Sequence, residues 1–144
     1  MKQHFTRGIF PLLGLMVALA LAACSSIWTT SPTLSGQWAP QRAELGGQAL
    51  PVASFKGATL RLTTDTYEFA GDKGTIALLP ASSPASMDIH GQEGPNAGRT
   101  IQAIYELAGE QLTVCYQLGS GERPGEFKSA KGSKVLLIHY KRVR

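Results

Sequence analysis

Thiols are the strongest nucleophiles available to this sequence, and there are two of them. Cys24 closes the stretch Leu21-Ala22-Ala23-Cys24, while Cys115 lies inside an apolar, strand-like run. No histidine or basic residue stands near Cys115 in sequence, so nothing local activates it, and it is expected to be buried and inert. Beyond residue 23 the only histidines are His90 and His139, and no Gly-x-Ser-x-Gly occurs. A serine hydrolase, which needs a nucleophile, a histidine and an acid, is therefore not read here. Asp88 and His90 are two apart and would share a strand face, enough to begin a metal site, but no third ligand is apparent. The Gly91 to Gly98 segment is glycine-rich yet lacks the strand–loop–helix setting and the Lys-Ser/Thr of a phosphate loop. The glutamates are scattered and offer no evident pair for glycosidic chemistry.

Arg123 is the most suggestive charged group. It sits in Glu122-Arg123-Pro124-Gly125-Glu126-Phe127, where Pro124 holds it extended. Its guanidinium could pair with Glu126 or Asp88, or hold a ligand carboxylate. The structural pair is preferred, with Arg123 bracing a long loop against the body of the domain. No catalytic set, metal site or cofactor site emerges, and a non-enzymatic protein is expected.

The elements that must carry these residues begin with a leader. A basic tip with Lys2 and Arg7 precedes an apolar run from Ile9 to Ala23. Basic tip, apolar run and small residues before a cut site make a secretory signal peptide over residues 1–23. The run is shorter than the ~20 residues a spanning helix needs, and Pro11 and Gly14 interrupt it. Leu21-Ala22-Ala23-Cys24 resembles the lipobox of bacterial lipoproteins. That resemblance implies a diacylglyceryl group on the Cys24 thiol, cleavage just before it, and acylation of the new amine, with palmitate as a typical chain. Two or three acyl chains anchor stably where one does not. The resemblance also implies that Ser25, in place of an aspartate, sends the protein to the outer membrane, facing the periplasm. Residues 24–33 are rich in Ser, Thr and Pro and read as a tether, with Trp28 as an interfacial aromatic. The competing reading, an ordinary signal peptide with Cys24 in a disulfide, has only Cys115 as a partner.

The net charge is +4 and falls to +2 without residues 1–23, since Lys2 and Arg7 leave and no acid does. The late basic residues, Arg123 and then Lys128 to Arg144, read as a solvated edge and tail in preference to a basic rim facing anionic headgroups or glycan. A nucleic-acid partner, which calls for a clustered basic face, is not expected. The length suits one domain, read as a monomer.

From Leu34 to Arg144 short β-type runs alternate with turn residues. The strands are read at 37–45, 58–63, 66–70, 75–79, 85–90, 101–107, 112–117 and 135–142, with one helical turn around Pro51 to Lys56. Eight sequential antiparallel strands fit a closed up-and-down barrel, which abolishes sheet edges. Such a barrel holds side chains or one small ligand, and any cavity should be small. Phe127 and the other aromatics go far toward filling it.

Gly36-Gln37-Trp38 resembles the Gly-x-Trp signature of lipocalins. The wider pattern looks like the uncharacterised lipocalin-like domain called planctomycete-type. The matching pieces include Leu34 to Trp38, Glu44 to Gly47, Met87 to Ile89, Ile104 to Leu107, Leu112 to Cys115, Arg123-Pro124 with Glu126-Phe127, and Arg142. The resemblance implies an all-β barrel over residues 34–144, closed by Gly36, Trp38 and Arg142, with the guanidinium on the indole face. Leu136, Ile138 and Tyr140 would then share the inner face with Arg142, and Val135, Leu137, His139 and Lys141 would face out. It implies no activity. Two functions are expected in turn. The first is a binding module for a small apolar or amphipathic ligand, lined by Tyr67, Phe69, Tyr105 or Tyr116 with Arg123. The second is an envelope interaction protein, or inhibitor-type barrel, that grips a protein or cell-wall partner through its loops.

Overall fold

The computed structural model describes residues 33–144. The signal peptide, Cys24, Trp28 and nearly all of the tether lie outside the described residues. The described chain is all-β: β1 (Gly36–Leu45), β2 (Gln48–Leu50), a 3-10 turn (Val52–Phe55), β3 (Leu60–Leu62), β4 (Thr66–Phe69), β5 (Asp72–Leu79), β6 (Ser86–Glu93), β7 (Thr100–Ala108), β8 (Gln111–Gln117) and β9 (Val135–Arg142). Each strand from β3 to β9 pairs antiparallel with the next, β3 pairs with β1, and β9 returns to β1. This closes an eight-stranded barrel of β1 and β3 to β9 without exposed edges, as the alternation of the runs requires. β2 is an extra short strand, folded back on the far half of β1 through Gly46-Gly47. The expected helical turn is the 3-10 turn, and β5 starts three residues earlier than its sequence pattern suggests.

The seam between β1 and β9 runs from Trp38 opposite Arg142 to Leu45 opposite Leu136, with one irregularity between Pro40 and Arg42. Because side chains alternate, Trp38, Leu112, Val114, Ile138 and Tyr140 all enter one interior core and are buried. Arg142 lies over the Trp38 ring, 4.2 Å from its centroid. Its guanidinium also donates to the carbonyls of Ser35 (2.9 Å) and Thr33 (2.5 Å), and the indole Nε1 donates to Leu34 O (2.9 Å). Glycine is favoured at position 36 in this clasp: φ is +142°, and an added Cβ would stand 2.6 Å from Arg142 Nη1, which would have to shift. This end of the barrel is closed.

The outer face departs from simple alternation. Ile104, Cys115 and Leu137 lie in one row across β7, β8 and β9 and point away from the interior. Yet Leu137 is only 5 % exposed, because Phe127 and Val135 pack over the row and form a second apolar cluster. Phe127 comes from the long segment between β8 and β9, which covers this side of the barrel. Val135 and Leu137 do face outward, as read from the sequence, but Leu137 is buried and Val135 half-buried.

Candidate functional site

The barrel interior is not completely filled. A cavity of about 200 Å³ opens at the end opposite Trp38, lined along its walls by residues such as Leu62, Ile76, Ile89, Ile101 and Val114. An apolar cavity of about 150 Å³ is enough to take a benzene-sized molecule, so this one suits a small ring rather than a long acyl chain. Phe55, carried by the 3-10 turn, meets Phe69 at 5.3 Å between ring centroids. Phe69 in turn meets the edge of Tyr140 at 6.1 Å. These rings, with Leu118 and Leu136, form an aromatic and aliphatic mouth.

One side of that mouth is polar and rigidly tied. Asp72, at the start of β5, accepts from the backbone N–H of Asn96 (2.8 Å) and from its Nδ2 (2.5 Å). Asn96 Oδ1 accepts from Arg99 Nη1 (2.8 Å), and Arg99 Nη2 donates to Leu118 O (2.6 Å). The chain of bonds thus links the β4–β5 turn, the glycine-rich β6–β7 loop and the end of β8. The glycine-rich segment, which lacks the features of a phosphate loop, has a structural task at the rim.

Two tyrosines reach the cavity with different chemistry. Tyr116 Oη lies 2.9 Å from Tyr140 Oη, so each hydroxyl is satisfied. Burial drives both phenols well above the ordinary tyrosine range. Tyr67 is 8 % exposed, and its Oη has no hydrogen-bond partner within the protein. Its ring lies beside Gly74, directly opposite in register, where an added Cβ would come within 3.0 Å of the ring and 1.9 Å of His90 O. Burial, and then the negative charge of Asp72, push the Tyr67 phenol up, so it stays protonated.

The residues named from the sequence therefore separate. Tyr67, Phe69 and Tyr116 line the cavity. Tyr105 faces inward but lies at the closed end, against a second, more open pocket of about 390 Å³ with Leu34 and Leu107. Arg123 does not line the cavity. It sits outside, where Nη1 donates to Met87 O (3.0 Å) and Ala103 O (2.9 Å) and Nη2 meets Asp88 Oδ1 (2.5 Å). Of the two acidic partners considered, it takes Asp88, and it straddles β6 and β7, whose Met87 and Ala103 are opposite in register. Arg123 is thus the brace for the long loop. Asp88 is occupied by Arg123, and His90 Nδ1 contacts Thr100 Oγ1 (3.0 Å). Among the described residues no three metal-ligating side chains gather.

Ser129 anchors the loop further along. Its Oγ donates to Val135 O (2.7 Å) and accepts from Gly47 N (3.1 Å), joining the loop to the β1–β2 hairpin. Beneath the loop Cys115 is free and fully buried, with Sγ 3.7 Å from Lys128 O. Burial raises its thiol pKa, which makes it a poor nucleophile. Phe55, Asp72, Asn96 and Leu118 were not singled out from the sequence as cavity residues. Phe55 had a signal, an apolar ring ending a predicted helical turn. Asn96 and Asp72 lie in stretches whose composition says only turn. Comparison of the chain with protein-family models, with curated proteins and with solved structures finds no match.

Proposed function

We propose that this chain is a lipid-anchored envelope protein whose barrel is a non-enzymatic binding module for a small apolar or amphipathic molecule. The supporting observation is the open apolar cavity with its aromatic mouth. Few polar groups line it, so burial of apolar ligand surface would supply most of the affinity, at roughly 25 cal/mol per Å² removed from water. The barrel that wraps it is closed and the loops around its rim are tied, so the site is largely pre-formed, as small-molecule pockets usually are. The planctomycete-type lipocalin-like resemblance bears on the barrel fold alone. The alternative, a partner held by the loops, would draw support from exposed aromatics in residues 91–99 or 118–132. The first segment contains no aromatic, and Phe127 in the second is packed onto the barrel.

Anchoring rests on Leu21-Ala22-Ala23-Cys24. Native mass spectrometry of the exported protein, released gently from membranes, should reveal a co-purifying small molecule. A panel of small aromatic and aliphatic compounds should shift methyl resonances of Ile76, Ile89, Ile101 and Val114 in NMR spectra. No shift with any compound of that size would end the binding reading. Radiolabelled palmitate should label the wild-type chain and not a Cys24→Ser variant; equal labelling of both would end the anchoring one.

A further inference from the structure

Asp72 is the one charged side chain among the described residues that line the apolar cavity. Its place follows from the register of β4 and β5. Asp72 stands opposite Phe69, and residues directly opposite across an antiparallel pair share a face. Phe69 packs against the interior core, so the carboxylate comes off the same inner face, at the mouth. Asp72 is half-buried rather than sealed. Asn96 fixes its orientation, with the backbone N–H on Oδ1 (2.8 Å) and Nδ2 on Oδ2 (2.5 Å). An ionised carboxylate offers about four acceptor sites, so these two bonds leave others unused. Among the described residues Asp72 is in no ion pair: Lys73 turns to Glu68, and Arg99 donates to Asn96 and Leu118. Pinning the β6–β7 loop accounts for the two bonds from Asn96 and leaves the net charge unanswered. Charges drawn away from water are usually paired, and this one faces apolar walls without a cation. Its field reaches inside: after burial itself, the negative charge of Asp72 is what raises the Tyr67 phenol.

We infer that the cavity takes a small amphipathic amine, its apolar body inside and its ammonium group at the mouth against the Asp72 carboxylate. This rests on the binding reading above and narrows its ligand class. An ammonium brings three N–H donors and a positive charge, so it answers the unused acceptor sites and the charge together. The rings of Phe55 and Phe69 meet at the same mouth, and aromatic faces also attract an ammonium. The carboxylate repels an acid of the same size. The cavity volume of about 200 Å³ sets the apolar body at about one ring with a short arm.

The test uses three compounds of nearly one shape with the full chain, by calorimetry at neutral pH: phenethylamine, 2-phenylethanol and phenylacetate. Phenethylamine, protonated there, is expected to bind about tenfold more tightly than 2-phenylethanol, the lower end for a hydrogen bond to a charged group because water reaches this one. Phenylacetate is expected not to bind. Raising salt to ~1 M should shrink the advantage of the amine and leave the alcohol unchanged. In Asp72→Asn the preference for the amine disappears while 2-phenylethanol still binds. If that variant does not fold, the salt response of the wild-type chain decides, and an amine advantage indifferent to salt overturns the assignment. 2-Phenylethanol or phenylacetate binding as tightly as phenethylamine, or a preference for the amine that survives Asp72→Asn, overturns the Asp72 assignment and leaves the pocket standing. Failure of all three compounds to bind overturns the pocket and the assignment together.

Discussion

Replacing Arg123 by alanine should loosen the long loop between β8 and β9 and expose a thiol that is otherwise sealed. Arg123 makes three hydrogen bonds to the outer face of β6 and β7, one of them to a carboxylate. Its side chain is 24 % exposed and that of Asp88 is 28 % exposed, so water can partly replace the lost partner. Hydrogen bonds involving a charged group contribute ~1.5–3 kcal/mol, and three from one side chain are not additive. A loss of about 2–3 kcal/mol is the expected outcome, equivalent to a melting temperature roughly 10 °C lower. If the loop opens locally, its open fraction rises by about 30- to 140-fold, at ~1.4 kcal/mol per factor of ten. Cys115 reports on that opening, because it lies under Phe127 and Lys128 and is inaccessible when the loop is closed. In a Cys24→Ser background Cys115 is the remaining thiol, and its rate of reaction with a chromogenic disulfide reagent measures the open state. Arg123→Lys should fall between, since an ammonium keeps the charge but not the planar fork. A melting temperature equal to wild type together with labelling within about twofold would refute the bracing role.

Further expectations come from the core and the clasp. Trp38→Ala empties a fully buried site and should cost about 3–5 kcal/mol in chemical denaturation. Gly36→Ala, which forces a side chain against the Arg142 guanidinium at φ +142°, should destabilise by about 1–3 kcal/mol. Above pH ~10 the unfolded chain releases tyrosine protons that the folded barrel retains at Tyr116 and Tyr140. Stability is therefore full below that pH and is lost as pH rises toward the raised folded values, by up to about 1.4 kcal/mol per pH unit for each tyrosine. A Tyr116→Phe/Tyr140→Phe double variant should flatten this alkaline loss in melting curves recorded between pH 8 and 11. Val114→Met projects extra atoms into the cavity and should abolish binding of small compounds in calorimetry while the far-ultraviolet spectrum stays unchanged.

Much of the architecture was readable because period-two alternation reports which face a strand residue takes. Leu136, Ile138 and Tyr140 were assigned inward and lie in the core or packed against it, and Trp38 meets Arg142 as the motif resemblance implied. Alternation does not report height along the barrel axis. Tyr105 and Tyr116 both point inward, but one sits at the closed end and the other on the cavity wall. Nor does it reveal what covers an outward residue, and only the fold shows that Phe127 packs over Leu137. Arg123 lies in a segment without period, and only its possible pairings could be named in advance. Asp72 looked like a turn residue because Gly71, Lys73 and Gly74 surround it. In the fold β5 continues past Gly74, with a register irregularity between Lys73 and Gly74, and the missing side chain there leaves room for the Tyr67 ring.

The clasp at Trp38 fixes a direction as well as an end. Residue 33, where the preceding chain joins the barrel, is gripped through its carbonyl by Arg142. The opening between Phe55, Asp72 and Leu118 is at the other pole. The described chain therefore begins at the sealed base of the barrel. Whatever enters the cavity does so at the pole away from that first described residue.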